Sequence, residues 1–257
     1  MNRLVFLRSM VACAVFAALH ASADLPDTVA RVKPSVVIVG TYRATDAPRF
    51  RLRGTGFVVG NGNTVITNFH VLPDASENPA DMSLVVQVRG PNNQLSMRQA
   101  TVLETGRVHD LAVLRIEGAA VPALAIRNSD TVREGQAIAF MGFPIGGVLG
   151  FSPVTHRGIV SSITAAVLPA PSSRQLTDAT IRGARAGSFD IFQLDATAYP
   201  GNSGGPLFDA DSGEVLGVVN MVLVKNTRES ALSQPSGISY AIPSRFVSEL
   251  LERANSK

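Results

Sequence analysis

One cysteine and four histidines among 257 residues leave this chain few routes to redox or metal chemistry. Cys13 falls within the first 23 residues, which read as an export leader. Arg3 and Arg8 make a positive start, Met10 to Leu19 is apolar, and Ala21-Ser22-Ala23 is a small-x-small cleavage site. That apolar run is half the length of about 20 residues that a membrane-spanning helix needs. No later segment is apolar enough to span either. Cleavage before Asp24 would leave no cysteine at all, so disulfides contribute nothing and core burial must hold the fold. A zinc set cannot be assembled without cysteine and with scattered histidines. No Gly-rich loop of the phosphate-binding kind opens a helix, and no cofactor is expected. Nor is there a Lys/Arg block for nucleic acid. Without Arg3 and Arg8 the 23 basic residues fall to 21 against 20 acidic ones, close to neutral. The expected location is periplasmic or extracellular.

What the chain does have is Gly201-Asn202-Ser203-Gly204-Gly205-Pro206. A serine with glycines on both sides can present its hydroxyl on a tight turn with nothing in the way. The backbone N–H groups of Gly201, Asn202 and Ser203 then become candidates for binding an oxyanion, Gly201 and Ser203 foremost. A plain Gly-rich hairpin turn is the bland alternative.

A nucleophilic serine needs a base and a carboxylate to orient that base. The histidines are His20, His70, His109 and His156. None follows Ser203, which excludes the Ser, Asp, His order of α/β-hydrolases. The Asp, His, Ser order would need Asp46, but the chain lacks the alternating strand and helix pattern of that α/β fold. His, Asp, Ser remains. His70 ends the β-branched run Thr64-Val65-Ile66-Thr67-Asn68-Phe69, and Asp110 opens the apolar run Leu111-Ala112-Val113-Leu114. Asp74, Asp81, Asp130, Asp178 and Asp190 lie in polar or Gly- and Pro-rich stretches, whereas Asp195 stays open as another carboxylate. His109 reads as a surface residue facing away from Asp110, and His156 as a loop or strand-end residue.

The rest of the pattern is all-β. Ser35–Gly40, Ser83–Val88, Gln136–Phe140 and Val215–Val222 are short apolar runs broken by turns, and Asn61-Gly62-Asn63 is a hairpin signal. Helices are expected only at the ends: Leu25 to Lys33, stopped by Pro34, and a C-terminal one capped by Ser244.

Four blocks carry a resemblance. They are Gly54–Val59 with Val65–Val71, His109–Leu114, Tyr199–Leu207 and Gly237–Pro243. In combination they resemble trypsin-like serine proteases of the HtrA (Deg) type, a bacterial branch of the chymotrypsin fold. The resemblance runs from about residue 30 to residue 250. It implies two antiparallel six-stranded β-barrels, at about 34–126 and 135–243, followed by a C-terminal helix at about 244–254. His70 and Asp110 would come from the first barrel, Ser203 from the second, with Arg127–Asp130 near the crossover. The implied activity is endopeptidase cleavage of unfolded or damaged proteins without a cofactor. The partners would be protein or peptide substrates, with a homo-oligomer left open. A non-proteolytic binding or chaperone-like protein on the same scaffold is the other function class.

Resemblance also places a specificity pocket, with Thr197 at its floor, Ala198 beside it and Asn220-Met221-Val222 as one wall. An uncharged floor disfavours Lys or Arg at the cleaved position, and the Val222 methyls narrow the slot. Small or medium aliphatic residues are the expected preference. Two departures from the family stand out. HtrA proteins usually carry one or two PDZ domains after the protease, and this sequence ends at Lys257 soon after the terminal helix, so PDZ-based sensing is not carried over. The stretch from Leu168 to Asp190 is long for a loop. It is expected to be either a regulatory loop near the cleft or a surface insertion.

Overall fold

The structure, a computed structural model, describes residues 24–74, 81–90, 92–144, 151–166, 189–220 and 238–256. The leader, most of the 168–190 stretch, and Met221 and Val222 lie outside the described residues. Twelve strands form two closed barrels in which every neighbouring pair is antiparallel. The first contains β1 (Val36–Arg43), β2 (Phe50–Val59), β3 (Thr64–Asn68), β4 (Met82–Arg89), β5 (Leu95–Gly106) and β6 (Leu111–Ile116), in the spatial order 1-2-3-6-5-4. The second contains β7 (Ala137–Gly142), β8 (Val154–Ala166), β9 (Phe189–Asp195), β10 (Pro206–Asp209), β11 (Val215–Asn220) and β12 (Ile238–Pro243), in the order 10-11-12-9-8-7. Phe189 and Asp190, expected in the long loop, already belong to β9.

Barrel closure explains why so many strands read as continuous apolar runs. Successive side chains on a strand point to opposite faces. In β1, Val37 and Val39 enter the first barrel with Val58, Val65, Val86 and Leu114. Val36 and Ile38 face the other way and join Phe57, Ile66, Leu111 and Val113 against Met141, Phe143, Phe208, Val218 and Ile242 of the second barrel. The second barrel keeps its own interior of Ile138, Phe140, Phe192, Leu194, Leu207, Leu216 and Val219. Each barrel therefore has a core, and a third core lies between them. The connection from 117 to 136 runs across both barrels: Leu124 N–H donates to Val58 C=O at 2.8 Å, and Val215 N–H donates to Ala125 C=O at 2.8 Å.

The helices are placed by the same inter-barrel core. The N-terminal helix α1 (Leu25–Val32) starts with proline in its first turn and continues into a 3-10 turn, Lys33–Ser35, that takes in Pro34 rather than stopping before it. Its Thr28 hydroxyl donates to Asp211 C=O at 2.9 Å in the second barrel. The C-terminal helix α2 (Ser244–Asn255) buries Phe246, Val247 and Leu250. Ser244 does not cap it. Pro243 holds the cap position, and the Ser244 hydroxyl donates to Arg127 C=O at 2.6 Å, fixing the helix to the inter-barrel connection.

This helix also corrects the reading of His109. The imidazole is not on a free surface but stacks on Phe246, with centroids 3.8 Å apart, and meets Phe189 edge-on at 4.7 Å. Neighbour-by-neighbour strand logic missed this because His109 lies in a 3-10 turn, Arg107–His109, onto which a distant helix folds. Burial lowers its pKa; Arg253 and Arg245 add to the effect, and Glu249 opposes it.

A depressed histidine pKa means the unfolded chain binds the proton more readily. The resulting stability is present above the ordinary value near 6.5 and is lost as pH falls toward the folded value. Phe246→Ala should cost about 3 kcal/mol of stability in denaturant unfolding. It should also bring the His109 pKa back toward its ordinary value in an NMR titration. An unmoved His109 titration would show that Phe246 is not what buries the ring.

Candidate active site

The three sequence-selected residues lie on different elements, and the chain is shaped at each one. β3 ends at Asn68, and Phe69–Val71 turn into a 3-10 helix that carries His70 off the sheet. Asp110 sits just before β6 in the left-handed conformation, with φ 51° and ψ 45°. Aspartate tolerates that region better than most residues. The turn feeds the Asp110 carbonyl to Phe69 N–H and to the Asn68 side chain, both at 3.0 Å. The two loops are thereby locked together before any side-chain chemistry is considered.

The Asp110 carboxylate completes the lock. One oxygen, Oδ1, accepts from the His70 backbone N–H at 2.9 Å. The other, Oδ2, lies 2.5 Å from His70 Nδ1. That same oxygen accepts from Asn220 Nδ2 at 2.7 Å. Hydrogen bonds to an ionised carboxylate are the strong kind, and they fix Nδ1 as the protonated nitrogen, leaving Nε2 bare. Arg53 holds the far side of the His70 turn, donating to Val71 C=O at 2.8 Å and Leu72 C=O at 3.0 Å. Asp195 lies exposed at the end of β9, opposite Ile159 and Ile238 in the ladder, and among the described residues the carboxylate paired with His70 is that of Asp110.

Ser203 is buried at 6% exposure on a turn that only glycine permits. Gly201 has φ 104°, and Asn202 N–H donates to Tyr199 C=O at 3.0 Å. Pro200 and Gly201 thus hold the two central positions of a turn of the type that wants proline first and positive φ second. A Cβ on Gly201 would strike the Phe143 carbonyl, and one on Gly204, at φ 86°, would strike the Thr55 carbonyl. Among the described residues, neither the Gly201 N–H nor the Ser203 N–H donates a hydrogen bond. The Asn202 N–H, expected beside them, is committed to Tyr199. No hydrogen bond links the Ser203 hydroxyl to His70 among the described residues.

Sequence reasoning placed Thr55 in a matched block without giving it a role. It is fully buried in β2, between two glycines, and straps the serine turn to the first barrel. Its N–H donates to Ser203 C=O at 2.8 Å, and its hydroxyl donates to Gly201 C=O at 2.6 Å. The same hydroxyl accepts from Phe143 N–H at 3.1 Å, and its carbonyl accepts from the Thr67 hydroxyl at 2.7 Å. His156 is the third residue of β8, near the start of that strand, the strand-end placement of the two expected. It stacks on Phe140 and lies 3.4 Å from the Asn202 amide nitrogen. Burial lowers its pKa.

Of the expected pocket residues, Thr197 and Ala198 follow β9. Ala198 is buried, and its N–H donates to the Ser239 hydroxyl at 2.8 Å, while that hydroxyl donates to Ala196 C=O at 2.7 Å. Asn220 closes β11 with its side chain turned to Asp110, a role that spacing alone did not suggest. Met221 and Val222 lie outside the described residues. Among the described residues no cluster of His, Asp and Glu could hold a metal, and no helix is long and apolar enough to cross a membrane.

Against known proteins, residues 54–218 match the family of the trypsin-like peptidase domain. The chain is 31% identical over 201 residues to the mitochondrial serine protease HTRA2 of Drosophila pseudoobscura pseudoobscura, covering 78% of this chain and 39% of that protein. It is 32% identical over 237 residues to the mitochondrial serine protease HTRA2 of Bos taurus, covering 91% of this chain and 43% of that protein. The chain thus spans about two fifths of the length of these curated relatives. Among solved structures it resembles the HtrA-type protease AlgW with tripeptide, with a TM-score of 0.61 and 23% identity over 89% of this chain and 62% of that one.

Thr55→Val keeps the shape of the side chain but strands Gly201 C=O and Phe143 N–H in a buried setting. A loss of about 1–3 kcal/mol in denaturant unfolding is expected. Thr55→Ser, which keeps the hydroxyl, should recover most of it. A loss in Thr55→Ser with none in Thr55→Val would show that the methyl group, not the strap, matters.

Proposed function

This chain belongs to the trypsin-like peptidase family, and we propose that it is a serine endopeptidase working through His70, Asp110 and Ser203. The observation that carries the reading is the Asp110 carboxylate. It holds His70 in the Nδ1-protonated tautomer, so that Nε2 is the nitrogen left to take a proton. The serine turn, with two uncommitted N–H groups beside the hydroxyl, supports the same reading.

In the proposed reaction Ser203 Oγ attacks a peptide carbonyl while His70 Nε2 takes its proton. The new C–O bond places negative charge on the carbonyl oxygen, where the Gly201 and Ser203 N–H groups are offered. Each such donor is typically worth about 3 kcal/mol of barrier. The C–N bond then breaks, and His70 gives its proton to the departing amine. Water attacks the acyl-enzyme with His70 again as base, releasing the acid and restoring Ser203. Asp110 stays ionised throughout and stabilises the imidazolium. No metal or cofactor takes part in any of these steps.

The finer points of the proposal follow the residues. Unfolded or damaged proteins are the proposed substrates. Thr197, with Ala198 beside it, is the proposed uncharged pocket floor, favouring small or medium aliphatic residues at the cleaved position. The first 23 residues are proposed to direct export to the periplasm or beyond, with cleavage after Ala23.

A fluorophosphonate probe should label the purified protein but not Ser203→Ala, and casein cleavage should disappear in that variant. Asp110→Asn should cut turnover by about 10⁴-fold by releasing the wrong tautomer. Labelling indistinguishable between wild type and Ser203→Ala would favour a binding protein on the same scaffold. A peptide-library profile dominated by Lys/Arg or by Phe/Tyr would overturn the pocket assignment. Mass spectrometry finding an intact Met1 on the exported protein would overturn the leader.

A further inference from the structure

We propose that His156 is a positioning residue for the nucleophile turn, acting through the side chain of Asn202. The inference rests on Ser203 being the nucleophile, and it adds a group outside the triad to the control of that turn. Asn202 stands between the two residues whose N–H groups are uncommitted. Its backbone leads directly into the peptide that carries the Ser203 N–H, so any rotation of Asn202 re-aims that donor. Its side chain is fully buried, and Oδ1 has no hydrogen-bond partner among the described residues. What orients the amide is its other end, where Nδ2 lies 3.4 Å from His156 Nε2.

The chemistry at that contact sets the state of His156. Nδ2 carries only hydrogens, so the nitrogen facing it must be bare and accepting. The ring itself is pinned: it stacks on Phe140 with centroids 4.7 Å apart and planes at 17°, and Tyr199 packs at 6.0 Å. Protonation would turn Nε2 into a donor opposite two other donor hydrogens, and the contact would become repulsive. The surroundings favour the neutral ring. β7 presents Phe140 and Gly142 and no charge, the turn presents Tyr199, and β8 itself offers Arg157 as the adjacent charged residue. Burial lowers the His156 pKa, so this protonation comes on the acid side of the ordinary histidine range.

Acid pH should therefore slow the site by loosening the turn through the His156 contact. His156→Gln isolates that effect, because an amide oxygen can accept from Asn202 Nδ2 and does not titrate in this range. His156→Phe keeps the stack on Phe140 and removes the acceptor.

The test is the rate of fluorophosphonate labelling at Ser203 from pH 5 to pH 8, with thermal melting to compare folding. At neutral pH, His156→Phe should label about tenfold more slowly than wild type, within the roughly 10²-fold that a 1 Å misplacement can cost. His156→Gln should label near the wild-type rate at neutral pH and keep more of that rate than wild type does as pH falls toward 5. Should His156→Phe not fold, the acid limbs of wild type and His156→Gln decide alone. Identical limbs would overturn the proposal, as would wild-type labelling rates in His156→Phe or equal slowing in both variants. Absence of labelling in wild type would instead overturn the nucleophile itself, and this inference with it.

Discussion

The Asp110 carboxylate is the point on which the site depends, because both barrels reach it. From the first barrel it takes the His70 backbone N–H and the His70 ring; from the second it takes the Asn220 amide. Shifting one barrel against the other by an ångström would break at least one of these bonds. A carboxylate left partly unpaired in this half-buried place costs more than an ordinary lost hydrogen bond. The docking of the barrels and the orientation of the imidazole are thus one constraint. Thr55 acts at the serine turn, where a single buried hydroxyl and its own backbone hold both ends of the Gly201–Ser203 turn to β2. With a single cysteine in the sequence no disulfide can close within it, so the rigidity of that arrangement has to come from the apolar core between the barrels. Ile38, Phe57 and Ile66 on one side and Met141, Phe143 and Phe208 on the other are all nearly inaccessible to solvent.

The parts of this design that are local in sequence could be read from it. Strand runs such as Val36–Val39 announce themselves by β-branched content. Their unbroken apolarity, which looks ambiguous in isolation, follows from having a barrel interior on one face and the neighbouring barrel on the other. The serine turn was legible because glycine and proline are the residues that its dihedral angles demand. His70 and Asp110 were reachable by elimination, since few histidines exist and chain order excludes the other arrangements.

What was not legible depends on elements far apart in the chain. Asn220 was expected to serve only as a pocket wall, yet its side chain turns to an aspartate 110 residues earlier. Thr55 sits among glycines in a motif, and only the arrival of residues 143 and 201 gives its hydroxyl two partners, with residue 203 meeting its backbone N–H. His109 was misread for a related reason: strand alternation sends it outward, and outward is where α2 lands. Asp110 was expected to open the strand and instead precedes it in a left-handed turn, which aims its carboxylate back at His70. Such placements are set by tertiary packing that overrides local pattern.

The polar groups left unpaired are themselves informative about how such a site is stabilised. Folding normally pairs buried donors and acceptors, and exceptions call for a reason. Among the described residues, those at the serine turn and the His70 turn are the N–H groups of Gly201 and Ser203 and the buried oxygens Oδ1 of Asn202 and Asn68, while others, such as the Ser35 hydroxyl and Gln87 Oε1, lie elsewhere in the fold. Asn68 adjoins the His70 turn and Asn202 adjoins Ser203. A chain free to relax would rotate these groups into pairing and lose the aimed donors. It is prevented from doing so by neighbours that are fully paired: Thr55 above the turn, Asp110 between the barrels, and Asn202 N–H closed onto Tyr199. Strain and unmet hydrogen-bonding capacity persist only where the surroundings over-determine the conformation. The inter-barrel core is therefore more than a source of stability. It helps keep the Gly201 and Ser203 N–H groups unpaired, the arrangement that the proposed binding of a transient negative charge requires.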